Sequence, residues 1–315
     1  MRAFKHLDAK TVAEAASAKA AGGAILAGGT DLLTLEKDFA LPKSAATMVN
    51  IKTIPNLAYI RDEGSLKIGA LTTLTDIAES AVVKSKWPSL AESALRVGTP
   101  QLRNQGTLAG NLCQQCRCWY YRGFMNYFNC FRKGGALCFA TVGKNRFNAI
   151  LGGQVCFAVC PSDTAIALTA LGATFTSNTR TSAPIKDLFV VLGNSLAANE
   201  VITEIQVPAP AAGTVQAFKK YAIRKSFDFA IASAAVSVTV SGGNVSNCVI
   251  AMGGVAPIPW RATAAEDALK GGPLNANTAA AAAEKATTGA LVLSENAYLV
   301  PLAKAMVKKA LLAAK

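Results

Sequence analysis

The sequence predicts an α+β protein in two parts: a mixed α/β unit interrupted by a cysteine-rich stretch, then an antiparallel sheet packed with helices. Three observations carry this. Residues 24–35 read as strand, glycine turn and helix start. Residues 234–252 alternate apolar and polar positions about a Gly242-Gly243-Asn244 turn, the pattern of a hairpin with one buried face. Between them, seven of the eight cysteines fall from Cys113 to Cys160, where regular periodicity fails.

The elements follow in order. Residues 1–6 lead into a polar helix, whose start is marked by Thr11 and Glu14 at capping-box spacing and which runs to about Ala21. A short strand, residues 24–27, enters the turn Gly28-Gly29-Thr30-Asp31, and a leucine-rich helix begins at Leu32. Residues 48–51 read as the next strand, and residues 57–60 and 66–69 flank Asp62-Glu63-Gly64 as a hairpin. Helices are expected at 74–83 and 89–97. After the cysteine-rich region, 163–173 reads as a buried helix and 201–207 as a strand. The run Pro208-Ala209-Pro210-Ala211-Ala212-Gly213 is the expected domain boundary. Residues 262–315 are alanine-rich helix interrupted by Gly271-Gly272-Pro273.

Composition excludes several classes. With 51% hydrophobic and 16% charged residues over 315 positions, the chain is neither disordered nor fibrous. A single histidine removes histidine dyads and His-Glu-x-x-His metalloproteases. The net charge of +13 raises nucleic acid as a partner. Yet no Lys/Arg run exceeds two residues and aromatic residues do not line a basic face, so a solvated surface or docking to acidic subunits is the expectation. Residues 1–6 lack the apolar core of a signal peptide, and the charge-free stretch 229–260 is broken by glycine and proline. Neither export nor a membrane span is expected, the location is read as cytoplasmic, and the cysteines are read as reduced thiolates serving a metal.

Two glycine turns carry the first chemical signal. In Ala27-Gly28-Gly29-Thr30-Asp31, residues without bulky side chains let backbone amides approach a phosphate, and the following helix N-terminus adds partial positive charge. The second turn, Gly106-Thr107-Leu108-Ala109-Gly110-Asn111-Leu112, offers a hydroxyl and an amide. Two such loops suit an extended ligand with several polar segments, such as a dinucleotide. Neither is the Gly-x-Gly-x-x-Gly fingerprint or a P-loop, and each alone is equally readable as turn chemistry. Among the cysteines, Cys113-Gln114-Gln115-Cys116 has zinc-knuckle spacing but no second knuckle mirrors it. Iron–sulfur clusters accept wider spacings, and the interleaved aromatics from Trp119 to Phe131 are expected to shield such a cluster from solvent.

At Ile25-Leu26-Ala27-Gly28-Gly29-Thr30-Asp31-Leu32-Leu33, at residues 101–112 and at Pro161-Ser162-Asp163, the chain resembles the FAD-binding medium subunit of the xanthine dehydrogenase family of molybdenum hydroxylases. The resemblance continues through 221–235 and 253–262. It implies a two-lobed FAD-binding domain over 1–208, with an insertion at about 113–160, and a C-terminal flavoprotein domain over 213–315. FAD would rest on residues 25–33, with further contacts from Val97, Gly98, Thr107, Gly110, Asn111 and Asp163. Ile202 and the basic segment 219–225 would flank its isoalloxazine ring, where a cation stabilises the reduced flavin.

The cysteine-rich insertion resembles that of 4-hydroxybenzoyl-CoA reductases and bacterial aldehyde oxidoreductases, where it binds a 4Fe-4S cluster. Matching their pattern residue by residue implies Cys118, Cys130, Cys138 and Cys156 as ligands. Cys113, Cys116 and Cys160 depart from that pattern, with Cys116 open as a substitute for Cys118, and Cys248 is read as a core residue. The resemblance further implies a large subunit carrying the molybdenum cofactor, a small subunit carrying 2Fe-2S clusters and an external electron acceptor or donor. No residue of this chain would then act directly on substrate. Two other readings remain: a zinc-stabilised binding module held by four cysteines and without redox activity, and a nucleic-acid-binding protein using the positive charge.

Overall fold

The computed structural model describes residues 1–224 and 226–314. Its first part holds two small sheets. One is parallel, in the order Lys5–Asp8, Thr47–Asn50, Ala24–Leu26, with the helix Val12–Ala20 beside it. The other is antiparallel, in the order Ile60–Asp62, Ser65–Gly69, Ile202–Pro208, Thr174–Ser177, Ala183–Pro184. Short helices pack with the second sheet in one core, and among them Trp87 is fully buried with its indole N–H donating to the Pro208 carbonyl at 2.9 Å.

The second part is a four-stranded antiparallel sheet, Thr214–Tyr221, Ala232–Ser241, Asn244–Gly253 and Trp260–Arg261, with the helices Thr263–Asp267, Ala276–Lys285 and Leu299–Ala313. Gly213 enters it at φ +77°, where a Cβ would lie 2.4 Å from the Val240 carbonyl oxygen, so the turn admits only glycine.

Four expectations need correction. Residues 5–8 form an edge strand before the first helix, because register with residues 47–50 overrides their weak local preference. That helix starts at Thr11, whose hydroxyl accepts the Glu14 N–H, but the Glu14 carboxylate accepts Lys10 N–H instead of closing the box. The segment 74–83 is not one helix: Ser80 takes φ −56°, ψ 120°, ending Leu74–Glu79 and capping Ala81–Lys86. The 232–253 hairpin is buried on both faces at its inner end. Ala235 and Ala251 face the core of the first part, while Ala234, Val236, Ile250 and Met252 face the C-terminal helices.

The cysteine-rich region carries no strand. After the helix Leu108–Cys113 it is loop punctuated by one-turn helices at Phe124–Asn126, Phe131–Lys133 and Phe139–Thr141. Its aromatics only partly shield the thiols. Tyr121 is buried among them, but Trp119, Phe124 and Tyr127 are 51, 61 and 81% exposed. So short a segment has too little chain to cover both the thiols and its own outer face.

Candidate functional site

The two glycine turns meet across a cleft of about 390 Å3. Gly28 crosses the second turn so closely that a Cβ would fall 1.9 Å from the Gln105 carbonyl oxygen. Gly29 reverses the chain at φ +73°, and Leu26 and Leu33 pack beneath it instead of lining the cleft. The walls are Ile25, Ala27, Gly28, Gly29, Thr30, Asp31 and Leu32 on one side. Val97, Gly98, Thr107, Gly110, Asn111 and Ile202 lie on the others.

Thr107 caps the helix Leu108–Cys113 by accepting the Gly110 N–H. Asn111 is fixed by Ser162 and Thr164, whose hydroxyls donate to its Oδ1 at 2.6 and 2.7 Å, so its orientation in the cleft wall is set. Backbone amides at the turns, a held amide side chain and apolar walls suit an extended, partly anionic, partly aromatic ligand.

Asp163 lies elsewhere. It lines a small neighbouring cavity and pairs with Lys220 at 2.6 Å, both side chains nearly inaccessible. Burial raises its pKa, and the Lys220 ammonium offsets part of that rise. Within the described residues it joins the first part of the chain to the C-terminal sheet. Of the basic segment 219–225, Lys220 is thus committed to Asp163, and Lys225 lies outside the described residues.

The Asp31 carboxylate is also engaged. It accepts from the Gln115 N–H at 2.8 Å and from the guanidinium groups of Arg117 and Arg122. The glycine turn is thereby tied to the start of the cysteine-rich region. Arg117 and Phe229 line the cleft as well, and sequence reasoning assigned neither to it. Arg117 was visible only as the neighbour of Cys118, and Phe229 arrives from over 100 positions away with no local signal.

Five thiols gather behind this wall. Cys116, Cys130 and Cys156 share a buried pocket with Leu35, Ala40, Tyr121 and Ala158, and Cys118 packs at its edge. Cys138 approaches Cys156 from the adjoining pocket of Ala140, Ala149 and Phe157. The neighbouring sulfur, with backbone N–H donors, pulls the Cys138 thiol down, and the same neighbour together with burial pushes Cys156 up. Cys160 belongs to the main core, Cys113 packs against it and Cys248 sits under the C-terminal helices. Burial pushes each of these three thiols up to about 12, which leaves them protonated and inert.

Among the described residues no three His, Cys, Asp or Glu side chains converge where one ion would be held. A zinc ion requires four ligands within about 2.3 Å of one point. A four-iron cluster takes one thiolate on each iron, so its donors stand apart around a pocket. The donor set, all sulfur in a largely apolar pocket, is one that either group can take.

These features define a flavoprotein subunit. A family model described as the FAD binding domain in molybdopterin dehydrogenase matches residues 2–120 and 136–210. A second, the CO dehydrogenase flavoprotein C-terminal domain, matches 216–314. The chain belongs to this family, the FAD-binding medium subunits of molybdenum hydroxylases. The first match lapses over 121–135, the stretch that carries Cys130.

Among its relatives, the aldehyde oxidoreductase FAD-binding subunit PaoB of Escherichia coli is 34% identical over 86% of this chain and 87% of its own length. The carbon monoxide dehydrogenase medium chain of Hydrogenophaga pseudoflava is 31% identical over 99 and 96%. The solved carbon monoxide dehydrogenase from the same organism, in a form lacking the Mo-pyranopterin moiety of the molybdenum cofactor, superposes with a TM-score of 0.78. It has 30% identity and covers 99% of this chain and 97% of that one. No helix among the described residues is long and apolar enough to cross a membrane.

Proposed function

We propose that this chain is the electron-transfer subunit of a molybdenum-containing hydroxylase or dehydrogenase acting on an aldehyde, a xanthine-like heterocycle or an aromatic acyl-CoA. FAD occupies the glycine-turn cleft, and a 4Fe-4S cluster sits on Cys118, Cys130, Cys138 and Cys156. The observation that carries this reading is adjacency: Arg117 lines the cleft, and the next residue, Cys118, opens onto the thiol pocket. A flavin in the cleft and a cluster in the pocket would then be neighbours through one turn of chain.

Bound FAD supplies the capacity to accept two electrons and release them singly. This chain's own residues do the rest. The two glycine turns hold the cofactor, Asn111 presents a fixed amide, and the thiol pocket buries Cys130 and Cys156 while leaving Cys118 and Cys138 half-buried. Arg132 and Lys133 set positive charge near the thiols, which favours the thiolate form that iron requires.

Substrate chemistry belongs, in this reading, to a partner large subunit bearing the molybdenum cofactor, with 2Fe-2S clusters on a small subunit. Assembly in the cytoplasm and exchange of electrons with an external acceptor or donor complete the proposal. Its support is the family and the exposed apolar rim of Trp119, Phe124, Met125 and Tyr127 beside the thiol pocket, a surface suited to a protein partner. Coexpression with the genes beside it, followed by copurification, tests the assembly. Recovery of the chain alone, fully flavinated and monomeric whatever its neighbours, would contradict it.

A further inference from the structure

Arg117 joins three parts of the molecule. Its guanidinium donates to Asp31 in the first glycine turn and, at 2.8 Å, to the Gln114 side chain. Its Cζ lies over the Phe229 ring, 4.6 Å from the centroid, and its Nε is buried with no protein partner. Arg122 reinforces the anchor by donating both to Asp31 and to the Cys116 carbonyl.

Among the described residues that line the cleft, Phe229 alone comes from beyond residue 202. It is the contribution of the C-terminal part to the cofactor site, and it is 42% exposed. A guanidinium set over an aromatic ring and pinned by a carboxylate through its planar fork is a geometry that lysine does not reproduce.

We infer that Arg117 is a positioning residue that clamps Phe229 against the mouth of the cleft and so governs how long FAD stays bound. The inference rests on the cleft being the FAD site. Asp31 has a matching part: from the cleft wall it holds Arg117 in place.

The test is the FAD dissociation rate of the purified protein, followed by the recovery of free-flavin fluorescence after dilution, for wild type, Arg117→Ala, Arg117→Lys, Phe229→Ala and the double alanine variant. Each single alanine variant is expected to release FAD about fivefold to tenfold faster. The double variant should be no faster than the worse single, because one contact is removed twice. Arg117→Lys should resemble the alanine variant, and the visible circular dichroism of the bound flavin should change alike in all four.

Half-exposed Phe229 can be truncated without threatening the fold, and a melting temperature of the flavin-free protein close to wild type checks this. Additive effects, full rescue by lysine or an unchanged release rate in Phe229→Ala would each overturn the clamp. A wild-type protein that carries no flavin would instead overturn the reading beneath it.

Discussion

Gly28→Ala is the sharpest perturbation of the cofactor site. Gly28 has no unusual φ, so the added methyl group introduces no backbone strain of its own. Its cost is steric. The new Cβ would stand 1.9 Å from the Gln105 carbonyl oxygen, 2.7 Å from its carbon and 3.2 Å from the Gly106 Cα. Ordinary contact begins at 3.4 Å, so the two glycine turns must separate by about 1.5 Å, and the opposing atoms are backbone that cannot rotate away. Forcing a methyl group into such a place costs about 1–3 kcal/mol.

The two turns form facing walls of the cleft, so the displacement falls on the cofactor site, and FAD affinity should drop about tenfold to a hundredfold. Gly271→Ala is the control. Its Cβ meets nothing within 4 Å, and its φ of +80° predicts a modest loss of stability without a change in binding. Fluorescence titration of deflavinated protein with FAD measures both. If Gly28→Ala binds FAD within twofold of wild type, the two turns do not form the site.

Other consequences follow from the charge networks and the thiols. Glu200 is buried, which disfavours its ionised form, but Arg180, Ser177 and the Ala197 N–H all donate to it and hold it at about 2, against an ordinary 4.5. Its folded value is depressed, so its stabilisation is complete above about pH 4.5 and disappears as pH falls toward 2. At 1.36 kcal/mol per unit this is about 3 kcal/mol. Urea midpoints from pH 7 to pH 3 should therefore fall more steeply for wild type than for Glu200→Gln, and parallel profiles would refute the assignment. Lys220→Met strands the Asp163 carboxylate in the interior and should cost about 3–5 kcal/mol at pH 7 in denaturant unfolding. An unchanged midpoint would mean the pair does not join the two parts. Cys130→Ser should lose most of the bound iron while Cys248→Ser retains it, and equal iron in the two proteins would remove Cys130 from the ligand set.

The architecture was legible wherever local pattern and tertiary role coincide. The strand, turn and helix of residues 24–37 and the 232–253 hairpin are examples, since glycine turns and the alternation at the hairpin's outer end survive in a single sequence. Residues 5–8 failed because their strand exists only through parallel pairing with residues 47–50. The strand Thr214–Tyr221 was missed because Lys219 and Lys220 mask its alternation, although Lys220 turns inward to Asp163.

In the cleft, the glycine turns were readable because glycine at a close crossing leaves a composition signal. Arg117 and Phe229 were not, because a stacked pair formed across more than 100 positions leaves none. The motif resemblance placed Asp163 on the cofactor, and its carboxylate also pairs with a buried lysine that no motif records. For the cysteines, spacing left zinc and iron open. The structure groups them, with Cys113 and Cys160 at the main core, Cys248 under the C-terminal helices and Cys116 beside the proposed four.

Anaerobic purification followed by an absorption spectrum and metal analysis decides whether one chain holds both a flavin and an iron–sulfur cluster. One FAD and about four irons per chain are expected, with flavin bands over a broad iron–sulfur absorbance. A colourless protein containing zinc, or a flavoprotein without iron whose thiols all react freely, would contradict it.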